Sequence, residues 1–379
     1  MISRTGDSSP VRVNPAAASP AASSQAASNP AASNPIDSNL TESELSRLGA
    51  ALRENGTVPA GPLHATLIAG GRSNLTYRVS DGASTWVLRT PPRVGRTPSA
   101  HDVAREFTVT SALVGTSVPV ARPVLLVDDE SVLGVPGAMV EYVPARSLRW
   151  ASDLDGLSDQ DLDELVTRLL GVLAALHDVD HISVGLERFG RPDGYAERQL
   201  RRWSGQWELV GTPELASTGE GLAERLRAHL PDRQQHVAIV HGDFRLDNTM
   251  VWVDPATRPE IAAVVDWELS TIGDPVADVA LMCAYRDPVF DLIAAGSSSW
   301  TSPRLPHASA LADRYQQVGG VQLADWNFHL AMAYFKIGVI AAGIAHRHRA
   351  GTGDEGYARA GESVPHYFEL AHDALRSRS

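Results

Sequence analysis

The sequence predicts an α+β fold in which short strands come first and long helices follow, and three stretches carry that expectation. Residues 67–79 read as strand, glycine-containing turn and strand, with further short strands over 85–89 and 138–143. In residues 160–177, Leu162, Leu165, Leu169, Leu170, Leu173 and Leu176 fall near helical spacing, which makes that segment a core helix. Residues 237–240, 250–253 and 261–265 are short apolar runs separated by polar loops, the pattern of three more strands. A chain of 379 residues with 43% apolar content is long enough for two lobes with substantial cores.

The loop between the first two of those runs reads His241-Gly242-Asp243-Phe244-Arg245-Leu246-Asp247-Asn248, and the third run ends at Asp266-Trp267. Moving a phosphoryl group needs a carboxylate beside the acceptor hydroxyl and oxygen ligands for the magnesium that bridges nucleotide phosphates. Asp243 suits the first role. Asn248, five positions on, and Asp266 at a strand end suit the second. A bare His-Gly-Asp is also compatible with an ordinary turn carrying a solvated acid.

Taken in order, His241-Gly242-Asp243 with Asn248, Val265-Asp266-Trp267-Glu268 and residues 273–280 (Gly-Asp-Pro-Val-Ala-Asp-Val-Ala) resemble the aminoglycoside phosphotransferase family over most of the chain. That family is similar to choline kinases and protein kinases. The resemblance implies a protein-kinase-like two-lobed fold, with a small antiparallel β N-lobe over 41–143 and a larger, mostly helical C-lobe over 144–379. It implies ATP, or GTP, as phosphoryl donor and Mg2+ at Asn248 and Asp266. It also implies that Asp278 accepts hydrogen bonds from the loop at His241, although a helix-dipole carboxylate is the plainer reading of that residue.

A kinase-like site needs an upstream lobe over the phosphates. Gly70, Gly71, Ser73 and Asn74 lie in the first strand–turn–strand unit, where backbone amides and a hydroxyl could face phosphate oxygens; a plain hairpin turn fits the same residues. The next strand should carry a cation. The only lysine, Lys336, lies far downstream, so the candidate is Arg89, with Glu106 on the following helix as its partner. Main-chain groups of Glu141 and Val143 are placed to meet an adenine edge, although an interior strand ending at Pro144 reads equally well. His177, near a helix C-terminus, reads as structural rather than catalytic.

Residues 185–209 are distinctive. Phe189-Gly190-Arg191-Pro192 with Arg198-Gln199 and Trp203 resembles the branch of the family also found fused to acyl-CoA dehydrogenases, which implies hydroxyacyl groups carried on coenzyme A as acceptors. Arg191, Arg198, Arg201 and Arg202 would suit that polyanion, with Glu268 also on the substrate side; a solvated helix face is the bland reading of the arginines. Two rivals stand beside this expectation: an aminoglycoside or amino-sugar acceptor, and a non-catalytic nucleotide-binding module.

Composition narrows the partners. A net charge of −12 argues against nucleic acid. No basic start leads into an apolar run and no stretch of about eighteen apolar residues is evident, so neither a secretory signal nor a membrane span is expected. Cys283 is the single cysteine, which excludes an intrachain disulfide and makes the cytoplasm the simplest location. Residues 1–40, rich in Ala, Ser, Asn and Pro, are expected to be a disordered tail. Oligomeric state leaves no pattern.

Overall fold

The computed structural model describes residues 39–70, 74–93, 103–254, 257–351 and 355–377. Gly71 and Ser73, and all but the last two residues of the expected tail, lie outside the described residues.

The described chain opens with α1 (Glu42–Glu54), which the strand and helix patterns above did not include. Its signal was legible: Thr41 accepts from the Glu44 amide while the Glu44 carboxylate accepts from the Thr41 amide, a reciprocal cap that satisfies two end donors. Then come β1 (His64–Gly70), β2 (Leu75–Ser80), β3 (Thr85–Thr90), α2 (Val103–Leu113), β4 (Pro123–Val127), α3 (Glu130–Leu133) and β5 (Gly137–Glu141). The five strands form one antiparallel sheet in the order β1-β2-β3-β5-β4. Period-two alternation buries Trp86, Leu88 and Thr90 of β3 on one face. Tyr77, Val79, Leu88 and Met139 join Leu48 and Leu52 of α1 in a small core of their own.

The larger, mostly helical part contains α4 (Asp159–Asp178), α5 (Tyr195–Val210), α6 (Ala216–Ala228), β6 (Ala238–Val240), β7 (Thr249–Trp252), β8 (Glu260–Val264), β9 (Thr271–Gly273), α7 (Pro275–Ala284), α8 (Asp291–Ala294), α9 (Ala308–Gln317), α10 (Trp326–Arg349) and α11 (Val364–Arg376). β6 pairs with β9 and β7 with β8, both antiparallel. The leucine row of α4 is fully buried in the second, larger core. That core also takes Val109 and Leu113 of α2, so α2 packs against both parts of the molecule.

Arg105 of α2 adds a polar fastening: its guanidinium donates to the carbonyls of Phe189 and Ser270 and lies 3.9 Å from the centroid of the Phe189 ring. The Phe189-Gly190 segment therefore serves in part as a tie between α2 and the helical part.

The expectation that no segment is long and apolar enough for a membrane needs one correction. α10 meets both criteria, but 78% of its apolar window is buried, against α5, α7 and α11 among others. That burial is what the central helix of a folded core shows.

Candidate active site

The catalytic loop runs from β6 to β7, and its backbone is held at several points. Asp278, in the first turn of α7, accepts from the His241 amide at 2.6 Å and the Gly242 amide at 2.8 Å, so the interaction implied by resemblance is present. The same carboxylate faces His177 Nε2 at 3.4 Å, and His177 Nδ1 lies 2.7 Å from the Tyr315 hydroxyl. Tyr315 accepts in turn from the Val321 amide, leaving its proton for His177. His177 is thus a buried structural group, and its task is to orient the loop's anchor. Burial acts to raise the Asp278 carboxyl, but hydrogen bonds from His177 and the loop outweigh it and hold the group below its ordinary value.

His241 fixes the loop from within. Its Nε2 lies 3.0 Å from the Val265 carbonyl and its Nδ1 accepts from the Asp243 amide at 3.3 Å, a pair satisfied by one neutral tautomer. Gly242 adopts φ +82°, and a Cβ there would stand 2.8 Å from the Leu269 carbonyl, so both conformation and space require glycine.

These constraints place Asp243. Its Oδ2 accepts from Asn248 Nδ2 at 2.9 Å and its Oδ1 from Arg245 at 2.5 Å. The Asn248 amide also donates to the Asp243 carbonyl at 2.8 Å, which leaves Asn248 Oδ1 as the side chain's oxygen ligand. The Asn248 carbonyl accepts from the Val265 amide, so the loop's asparagine sits beside the strand end that delivers Asp266. Asp266 itself has φ 66° and ψ 55°, a left-handed conformation uncommon for a residue other than glycine and one that tertiary contacts must sustain. Trp267, buried behind it, donates to the Val264 carbonyl and packs 4.8 Å from the His241 ring.

Across the cleft, β3 presents Arg89 as expected, 2.7 Å from Glu106 and 3.1 Å from Asp266. Burial opposes its charge, but the two carboxylates outweigh that and raise the guanidinium above its ordinary value. Glu106 also accepts from Asn74 at 3.2 Å. Arg89 Nε and Asn74 Oδ1 are buried with no hydrogen-bond partner among the described residues. The guanidinium keeps its charge in this setting, and a phosphate is the kind of anion it would pair with. Carboxylate oxygens of Glu106, Asp266 and Glu268 lie within 4.8 Å of one another, close enough to share a cation. Asn248 and Asp266 offer the hard oxygen ligands that magnesium takes.

Placement gives the surroundings of the other expected site residues. Glu268, expected on the substrate side, has its carboxylate beside those of Glu106 and Asp266. None of Arg191, Arg198, Arg201 and Arg202 lines the cavity next to Asp243. Arg198 donates to the carbonyls of Asp193 and Arg191, holding the loop before α5, and Arg201 pairs with Glu197 on an exposed helix face. At β5 the Glu141 amide donates to the Arg122 carbonyl, and the Val143 carbonyl accepts from Ala145. An adenine contact would therefore use the Glu141 carbonyl or the Val143 amide. Gly70 ends β1 opposite Leu75, beside the described Asn74.

The cavity beside Asp243 has a volume of about 370 Å3 and was not legible in advance. Leu269, Phe290, Ile293, Ile337, Ile340 and Ile344 give its wall an apolar stretch, and Arg149, also on its lining, is exposed. Arg245 reaches 2.9 Å from Asp247 and packs 4.5 Å from the Tyr285 ring, so both carboxylates of the cavity, Asp243 and Asp247, are tied to one guanidinium. Burial and the neighbouring Asp243 charge push the Tyr285 phenol far up, which keeps it a proton donor to Asp243. An arginine flanked at two residues' distance by aspartate on both sides was the available sequence signal for Arg245. Tyr285 had none.

Comparison with other proteins agrees with this geometry. Residues 64–325 match the profile of a phosphotransferase enzyme family. The mouse protein named acyl-CoA dehydrogenase family member 10 is 35% identical over 323 residues, which are 84% of this chain and 30% of that protein. Its human relative, family member 11, is 35% identical over 285 residues, 74% of this chain and 36% of that protein. The chain thus spans about a third of the length of these curated relatives. A crystal structure from Ralstonia eutropha, provisionally named an aminoglycoside phosphotransferase, aligns over 87% of this chain and 98% of its own, with TM-score 0.73 and 32% identity.

Proposed function

The chain belongs to the phosphotransferase enzyme family, a small-molecule kinase acting on a hydroxyl group, and from that premise we propose that its acceptor is a hydroxyacyl group carried on coenzyme A, with ATP as donor. The apolar stretch of the acceptor cavity's wall carries this reading. Isoleucines at 337, 340 and 344 place one face of α10 along it, a surface suited to an alkyl chain. A polycationic amino sugar needs carboxylates, and the two present are held by Arg245. The exposed Arg149 on the lining supplies a cation for an anionic carrier. The names of the curated relatives, acyl-CoA dehydrogenase family members, point to the same class of compound.

In this reading Asp243 orients the acceptor hydroxyl and takes its proton as the oxygen attacks the γ-phosphorus; the bond to the β-phosphate oxygen breaks and ADP leaves. Asn248 and Asp266 would hold Mg2+, whose charge would offset that of the phosphates. Arg89, held by Glu106, would supply the cation for the phosphates. The loop's fixed backbone keeps Asp243 aimed without reorganisation during transfer.

The test is magnesium-dependent ATP consumption by the purified protein with hydroxyacyl-CoAs, aminoglycosides and amino alcohols. The expected result is stimulation by hydroxyacyl-CoAs alone, reduced at least ~1,000-fold by Asp243→Ala. Stimulation by aminoglycosides instead would overturn the acceptor assignment and leave the phosphotransferase standing.

A further inference from the structure

The single lysine of the chain stands in the middle of α10, where helix packing leaves little water for an ammonium group. Lys336 is partly buried. Its Nζ donates to the Gly242 carbonyl at 3.3 Å and lies 5.5 Å from the centroid of the Trp203 ring. It borders a cavity of about 30 Å3, shared with Tyr195, Gln199, Gly242 and Asp278, that has room for a water molecule or two. The next residue, Ile337, faces the acceptor cavity. One turn of α10 therefore touches both the catalytic loop and the acceptor wall.

Where Nζ bonds is the informative point. The Gly242 amide is held by Asp278 and the Gly242 carbonyl by Lys336, so this residue is gripped at both ends immediately before Asp243. Glycine is the residue that most needs such restraint, because it has no Cβ to limit rotation. Rotation of the peptide joining Gly242 to Asp243 would swing the catalytic carboxylate away from the acceptor.

We propose that Lys336 is a positioning residue for phosphoryl transfer, acting through the Gly242 carbonyl to aim Asp243 at the acceptor hydroxyl. This rests on the phosphotransferase reading of the site. Burial pushes the ammonium down to about 8, a shift opposed by the charges of Asp243 and Asp278 and reinforced by Arg202 and Arg245. The titratable groups facing it are Tyr195 and Arg202 from α5, Asp278 from α7, Asp243 and Arg245 from the loop, and His329 from its own helix. Below that pH the bond to Gly242 is charge-assisted; above it the neutral amine donates more weakly.

Two measurements on the full chain test the proposal. Lys336→Met, checked for an unchanged unfolding midpoint, should lower kcat by ~10-fold or more while KM for ATP stays within ~2-fold, with Lys336→Arg recovering part of the loss. Wild-type kcat should fall above pH ~8, and Lys336→Met should lack that limb. Lys336→Met with wild-type turnover would overturn the proposal. The second measurement needs no acceptor: protein labelled with 13C at lysine Cε shows one lysine resonance, which should titrate near pH 8 and at lower pH in Asp243→Asn. A midpoint above ~10, indifferent to Asp243→Asn, overturns the proposal equally. If the wild type transfers phosphate to nothing offered, the phosphotransferase reading fails on that result, and the titration still decides whether Lys336 is coupled to Asp243.

Discussion

Arg89 and Asp243 face each other across the same cleft and are held in place differently. Arg89 is fixed by side chains, with Glu106 at 2.7 Å and Asp266 at 3.1 Å. Asp243 also has side-chain partners in Arg245 and Asn248, but in addition its main chain is held: the loop amides by Asp278, the Gly242 carbonyl by Lys336, the Asp243 carbonyl by Asn248. Ion pairs between flexible side chains can exchange partners when phosphate arrives. A carboxylate on a backbone bonded at each peptide cannot wander, which is what transfer chemistry requires of it. Damage to the first wall should therefore appear in nucleotide affinity, and damage to the second in turnover.

The sharpest way to break this contrast is Asp278→Asn. An amide keeps the size but loses two charge-assisted acceptors, so the loop slackens and kcat should fall ~100-fold with KM for ATP little changed. A raised KM with kcat intact would place Asp278 outside the transfer step. Next in size is Arg89→Ala, expected to raise KM for ATP ~10- to 30-fold by removing the phosphate cation while Asp243 stays aimed. Arg89→Lys should recover part of that, since an ammonium supplies charge without the fork that reaches Glu106 and Asp266 together. Equal kcat losses in both variants would erase the distinction between the walls.

The smallest effect concerns pH. His329, buried behind the catalytic loop and 3.6 Å from Asp274, is pushed down to about 4 by burial. The unfolded chain then binds more protons than the native one between about 4 and 6.5, so stability present above pH 6.5 is lost as pH falls through that window. Asp274, raised by its own burial, opposes part of this. Urea unfolding should show a net loss of ~1 kcal/mol between pH 7.5 and 5.5, and His329→Gln should flatten the slope.

Most local features were readable because they depend on neighbours in sequence. Leucine spacing over 160–177 matches α4 at Asp159–Asp178, and Asp274 before Pro275 caps α7 with its carboxylate on the Val276 amide. The pairing of Arg89 with Glu106 followed from the lack of an upstream lysine. Harder cases turned on what a charged side chain reaches. Arg198 and Arg245 are both arginines close to acidic neighbours in sequence. One donates to carbonyls of its own loop; the other bridges two aspartates at the acceptor cavity. Phe189-Gly190, part of the segment that carries the branch resemblance, lies under the Arg105 guanidinium at the junction with α2.

By itself, then, the sequence determined the order of strands and helices, the caps, and the spacing that puts Asp243 in the loop after β6, Asn248 just before β7 and Asp266 just after β8. Those properties follow from periodicity and from short-range hydrogen bonding. Only the tertiary structure decided that Lys336 and Ile337, adjacent on α10, would meet the catalytic loop and the acceptor cavity respectively. It alone decided that Tyr285 would stand beside Asp243, and that Glu268 would join Glu106 and Asp266. The physical reason is that a side chain's partners are set by how helices and strands distant in sequence pack. No local pattern encodes that distance.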